Sequence, residues 1–149
     1  MQQLVSDRFG RWLRYKSRKS IEAGGPGHTL TYTWVVEAKD GNQHVHWCLH
    51  LDESLHAEFE QKLPKWVRST AGKINDPKHC IDIKDVTFVM GLARYCMKGI
   101  NPRQASRRFI RPENQGVVYG KRVAISRSLS RAARRGKSVD QPEAMAAAA

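Results

Sequence analysis

The segment Glu37–Leu51, EAKDGNQHVHWCLHL, constrains the fold more than any other stretch of the chain. Along an extended strand, successive side chains point to opposite faces. His44, His46, Cys48 and His50 therefore share one face, and Val45, Trp47, Leu49 and Leu51 share the other. The second face calls for burial, which leaves the first free for chemistry. The preceding run TLTYTWVVEA, residues 29–38, is rich in β-branched and aromatic residues, and Lys39-Asp40-Gly41-Asn42 supplies turn chemistry. Together they predict a hairpin over residues 29–51 that carries Glu37 back beside His44 and His46. A carboxylate and two imidazoles converging on one sheet face make Glu37, His44 and His46 a candidate divalent-cation site. His50 lies two strand steps beyond His46, about 7 Å for each pair of residues, too far to join the same ion comfortably.

At 149 residues the chain suits a single domain with a real core. Its 26 Lys and Arg against 14 Asp and Glu give a formal charge of +12, which favours a polyanionic partner, with nucleic acid the leading candidate. The charge is not set opposite a long apolar stripe, and no apolar run approaches the ~20 residues that span a bilayer, so a membrane partner is not expected. The N-terminus is polar and helical in pattern, unlike a signal peptide. Three cysteines without C-x-x-C spacing indicate neither a disulfide framework nor a zinc knuckle, and the expected setting is a reducing cytoplasm.

Taken in order, residues 2–20 read as a basic amphipathic helix, either packed on the sheet with a solvated face or contacting DNA, and ended by Gly24-Gly25-Pro26-Gly27. After the hairpin, Asp52 is the expected N-cap of a helix over residues 53–69, kinked at Pro64. Cys80–Val86 alternates apolar and polar residues and predicts a strand. Thr87 would then cap a helix ending at Gly99, within residues 87–99, where Tyr95 and Lys98 share a face. Residues 103–137 hold eleven Lys or Arg and one acid, Glu113. This reads as a nucleic-acid-binding extension, with a solubilising tail as the alternative; Arg103, Arg107, Arg108, Lys121 and Arg122, with Arg94 from the preceding helix, are its candidate contacts. Within it, 116–120 and 123–125 are candidate strand pieces or an ordered wrap, and 126–135 a candidate basic helix. Residues 138–149 read as a disordered tail.

A His-hydrophobic-His strand, a carboxylate seven residues upstream and a downstream helix with Tyr-x-x-Lys resemble the HUH endonucleases, most closely the single-tyrosine rolling-circle replication initiators of the Rep type. His44-Val45-His46 matches the motif that names the superfamily, Glu37 stands where related nucleases carry a third metal ligand, and Tyr95-Cys96-Met97-Lys98 matches the tyrosine motif. The likeness covers residues 29–99. It implies an α+β fold, a central antiparallel sheet flanked by helices, with the metal hairpin in the middle and the Tyr95 helix covering the site. Residues 1–100 would be the nuclease core.

The resemblance further implies Mg²⁺ or Mn²⁺ as cofactor and metal-dependent nicking and joining of single-stranded DNA through a 5′-phosphotyrosine, starting rolling-circle replication at a plasmid or phage origin in a bacterial cytoplasm. Host helicase and polymerase would be partners. A mobile-element transposase or relaxase is the nearest competitor, and a non-catalytic basic DNA- or RNA-binding protein is the competitor of another class. Because free tyrosine ionises only near ~10, Tyr95 would need neighbouring positive charge. Lys98 would supply it, grip a phosphate or tune the metal site. Members of the superfamily normally open with a strand before the first helix, whereas this chain opens with the helix. Either that strand is missing or the sheet is built without it, and a missing strand would leave backbone groups unpaired at an edge.

Overall fold

The computed structural model describes residues 1–72 and 80–137; the tail expected over 138–149 lies outside the described residues. The protein is α+β, with a three-stranded antiparallel sheet flanked by helices. Strands β1 (Thr31–Glu37) and β2 (His44–His50) form the hairpin, and β3 (Val123–Ile125) pairs with the other side of β1. The strand order is β2-β1-β3, so β1 is central. The histidine strand is an edge strand, which corrects the expectation that the whole metal hairpin lies in the middle.

The hairpin forms as its letters require. Thr31, Tyr32, Thr33, Trp34, Val35 and Val36 fill β1 with β-branched and aromatic residues. The reversal passes through Asp40 at φ 55° and Gly41 at φ 79°, left-handed conformations that a short polar residue and a glycine accept. The resulting register sets Glu37 opposite His44, Val35 opposite His46 and Thr33 opposite Cys48.

On the apolar face, Tyr32, Trp34 and Ala124 pack with Val5, while Trp47 and Leu49 bridge to a second cluster of Phe9, Leu13, Leu55, Phe59 and Leu63. The N-terminal element enters as a π-helical stretch, Leu4–Phe9, and continues as α1 (Gly10–Glu22). Its apolar side lies in the core, which settles the packing half of the sequence reading. Gly24, at φ 78°, ends α1 with Gly24 N–H donating to Ile21 O at 2.9 Å and Gly25 N–H to Ser20 O at 2.8 Å.

Asp52 caps the next helix as expected, accepting from Ser54 N–H at 3.0 Å. A short 3₁₀ turn leads into α2 (His56–Ala71), which continues through Pro64 rather than ending at it. Phe59 and Leu63 before the proline and Trp66 and Val67 after it all pack on the same core, which carries the helix past the proline. The carbonyl that Pro64 leaves without a donor belongs to Glu60, an exposed residue that water can satisfy.

Two further expectations fail. Cys80–Val86 forms no strand, because of its apolar residues only Ile81 reaches the core while Ile83 and Val86 are exposed. Alternation without a buried face gains little. Thr87 does not cap the following helix; α3 (Val89–Cys96) starts from an extended Phe88 without a side-chain cap. Lys98 therefore sits in the turn beyond α3, and Pro102 opens α4 (Pro102–Ser106), where Asn101 accepts from Arg103 N–H.

Among the described residues no strand precedes β1, and β1's second edge is not left open. Beyond the pairing with β3, Val36 N–H donates to Arg122 O at 2.8 Å, Ala38 N–H to Gln115 O at 2.8 Å, and Ser126 N–H to Tyr32 O at 2.9 Å. The 123–125 piece is thus a strand, and the basic helix expected near 126–135 appears as α5 (Arg131–Lys137) after a 3₁₀ turn.

Candidate metal and nucleophile site

Glu37 ends β1 on the face opposite Trp34, with only 3 % of its surface exposed. Direct cross-strand pairing brings the imidazole of His44 to it, with Nε2 3.1 Å from Oε2, and the diagonal neighbour His46 places Nε2 3.4 Å from Oε1. The candidate ligand atoms of these three residues all lie within 4.8 Å of one another. Two imidazole nitrogens and one carboxylate on a single face are a donor set that a first-row divalent cation accepts, with faces left for other ligands. The three residues read from the sequence as a cation site are therefore brought together.

Helix α3 and its exit turn close over this cluster. Tyr95 Oη is 3.2 Å from His46 Nε2, and the two rings meet edge to face at a centroid distance of 4.8 Å. Lys98 Nζ lies 3.2 Å from Glu37 Oε2, 3.7 Å from Glu113 Oε2 and 3.9 Å from the centroid of the Tyr95 ring. The ammonium thus joins the carboxylate to the phenol by a cation–π contact.

Electrostatics follow from this crowding. Burial pushes the Glu37 carboxyl up, but the Lys98 hydrogen bond and the charges of His46, Lys98 and His44 outweigh it and hold it below 4.5. Burial pushes His46 below the ordinary histidine value against the opposing pull of Glu37, which favours the neutral imidazole that a metal needs. Burial also opposes the charge on Lys98, yet the hydrogen bonds with Tyr95 and Glu37 raise it, and the side chain stays an ammonium.

Neighbours outside the Glu-His-His and Tyr-x-x-Lys motifs complete the site. Cys48, on the same face of β2, has its Sγ 3.9 Å from the Sγ of Cys96, the residue after Tyr95. The hydrogen bond with Cys96 brings the Cys48 thiol down to about 7 against the effect of burial, and Cys96 is pushed up by the same partnership. Gln115 and Glu113 approach from the segment before β3; their only sequence signal is that Glu113 is the lone acid in a basic stretch. His50 is exposed at the far end of β2, with Thr31 rather than Glu37 opposite it.

The candidate nucleic-acid contacts divide. Arg94, Arg103, Arg107, Arg108 and Lys121 are exposed. Arg122 is not free to reach out: its Nη2 donates to Gly116 O at 2.7 Å and Gln115 O at 3.2 Å, tying down the strap beside Glu37. Among aromatics, Tyr32 is buried in the core, while Tyr119 and Phe109 are 89 % and 87 % exposed. Phe109 also holds φ 54°, a conformation that a bulky residue adopts only at a cost. No helix among the described residues is long and apolar enough to cross a membrane. Comparisons of the chain with protein-family models, curated proteins and solved structures give no significant match.

Proposed function

We propose that this protein is a metal-dependent single-stranded DNA nicking and joining enzyme with Tyr95 as nucleophile, acting as a rolling-circle replication initiator. The observation that carries the reading is the convergence of a tyrosine hydroxyl, an ammonium and a Glu-His-His cluster from separate elements, with Tyr95 Oη 3.2 Å from a nitrogen of the cluster. A divalent ion held by Glu37, His44 and His46, Mn²⁺ by the imidazole content or Mg²⁺, would polarise the scissile phosphate as a Lewis acid.

The remaining work falls to the chain's own groups. Lys98, held against the Tyr95 ring, faces the charge that develops on the phosphate. Tyr95 Oη bonds to phosphorus as the bond to the 3′ oxygen breaks; the phenol proton leaves to solvent, and the departing oxygen takes one up. The products are a 5′-phosphotyrosyl strand and a free 3′ hydroxyl. Because the phosphodiester's energy is kept in the tyrosyl bond, the reverse attack rejoins strands. Exposed Arg94, Arg103, Arg107, Arg108 and Lys121 offer phosphate contacts, and the solvated rings of Tyr119 and Phe109 offer stacking surfaces for unpaired bases.

A second reading has an observation in its favour: Lys98 already neutralises Glu37, so the cluster is a satisfied ion-pair network without any cation. This favours a basic nucleic-acid-binding protein with no catalysis. The two separate on a denaturing gel of the protein incubated with labelled single-stranded DNA pools and Mn²⁺. A labelled protein band that survives denaturation and is absent in Tyr95→Phe is expected; no band in either protein would establish the binding reading.

A further inference from the structure

We propose that Gln115 is a positioning residue for the cation site, orienting Glu37 through its side-chain amide; the proposal rests on the metal reading above. Gln115 is polar, 6 % exposed and far in sequence from every motif of the site. With the amide nitrogen turned toward Glu37, so that the carboxylate meets donors rather than a carbonyl oxygen, it donates to Oε1 at 2.7 Å and Oε2 at 3.1 Å. One neutral group thus touches both carboxylate oxygens and fixes the plane in which they are presented.

The surroundings are built to hold that amide in place. Gln115 O accepts from Ala38 N–H at 2.8 Å, one residue beyond Glu37, and from Arg122 Nη2 at 3.2 Å. Gly116 holds φ 69° and passes so close to β1 that a Cβ would lie 2.0 Å from Ala38 O. Gly99, at the end of the Tyr95 turn, leaves the room Gln115 needs, because a Cβ there would lie 2.7 Å from Gln115 Cγ. Glu113 N–H donates to Lys98 O at 2.9 Å. Residues 113–116 therefore form a strap that clasps the carboxylate end of β1 and the lysine turn after α3 together.

A neutral donor suits this task in a way that Lys98 does not. The ammonium neutralises Glu37 and repels a second cation, whereas an amide orients the carboxylate and leaves its full charge for the ion. Carboxylates that ligate metals are commonly held by such outer partners, and losing one costs about 10- to 100-fold in metal affinity.

The test is Mn²⁺ titration of the full chain by calorimetry, with free Mn²⁺ followed by its paramagnetic resonance signal, for wild type and Gln115→Met. Methionine keeps the length and apolar stem and removes the donors. Mn²⁺ affinity is expected to fall about 10- to 100-fold, while melting in the presence of a chelator changes little because Lys98 still serves Glu37. If Gln115→Met does not fold, Gln115→Asn, which keeps an amide one methylene short of the carboxylate, is expected to show the same loss of affinity. Unchanged Mn²⁺ affinity in a folded variant, with wild type binding normally, overturns the role of Gln115 alone. Failure of wild type to take up Mn²⁺ overturns the metal reading and this role with it.

Discussion

Lys98 and Glu37 form an ion pair at 3.2 Å, so the ammonium already balances the carboxylate charge that a bound cation would meet. The same ammonium lies 3.9 Å from the Tyr95 ring centroid. These two contacts predict opposite effects of one substitution. Lys98→Met is expected to tighten Mn²⁺ binding about tenfold, the scale of removing one nearby like charge, and to slow covalent adduct formation about 10²-fold or more. Calorimetry and the denaturing gel measure the two separately. Weaker Mn²⁺ binding in the variant would mean that Lys98 holds Glu37 for the ion rather than competing with it.

The sulfurs of Cys48 and Cys96, 3.9 Å apart, allow a direct check that α3 sits on β2. In a Cys80→Ser background, oxidised glutathione should convert the two thiols to an intramolecular disulfide, releasing two reduced glutathiones and leaving no titratable thiol. The product is expected as a faster-migrating monomer on a non-reducing gel, reversible by a reducing agent. Mixed disulfides with glutathione, or dimers in its place, would mean that the Tyr95 helix is not held against the histidine strand.

What was legible in the sequence divides by the range of the interactions involved. Glu37, His44 and His46 converge because period-two alternation and the Asp40-Gly41 turn set the register, and both are local. The core residue Trp34 follows from the same alternation, and Phe59 and Leu63 follow from four-residue helical spacing, which is equally local. Val123–Ile125 could be read as a strand piece, but not its partner: nothing in those residues names β1, ninety positions earlier. The same holds for Gln115, whose meeting with Glu37 exists only once the chain has returned to that edge. Where the sequence misled, a local pattern lacked a tertiary partner: Ile83 and Val86 alternate with polar residues and remain exposed. At Pro64 the reverse happened, because packing on both sides of the proline outweighed a local breaker.

Glu58 clasps α1 to α2: Trp12 Nε1–H donates to Oε1 at 2.9 Å, and Lys16 pairs with Oε2. The Lys16 and Trp12 hydrogen bonds hold the carboxyl below 4.5. A carboxyl lowered in the folded state contributes stability above its unfolded value and loses it as pH falls through the folded one. Glu58→Gln is therefore expected to cost about 1 kcal/mol at pH 7, discounted for a partly solvated pair, with the difference from wild type shrinking as pH drops below 4.5. Urea melts at pH 7 and in the acid range read this; a gap that widens toward acid would refute the assignment.

Lys121 and Arg122 are adjacent and both basic, yet the structure gives them different tasks. Lys121 is exposed, whereas Arg122 spends its guanidinium on the Gln115 and Gly116 carbonyls, and its buried Nε has no hydrogen-bond partner among the described residues. Arg122→Ala removes charged donors from two carbonyls at the β1 edge and is expected to cost about 1.5–3 kcal/mol of stability. Because those carbonyls belong to the strap holding Gln115, Mn²⁺ affinity should fall with it. Lys121→Ala should leave melting and Mn²⁺ affinity unchanged and lower the salt slope of single-stranded DNA binding by about 0.7, the release of one phosphate contact. If Arg122→Ala instead melts like wild type and loses only DNA affinity, its guanidinium serves the phosphate backbone and the strap is held by its backbone hydrogen bonds alone.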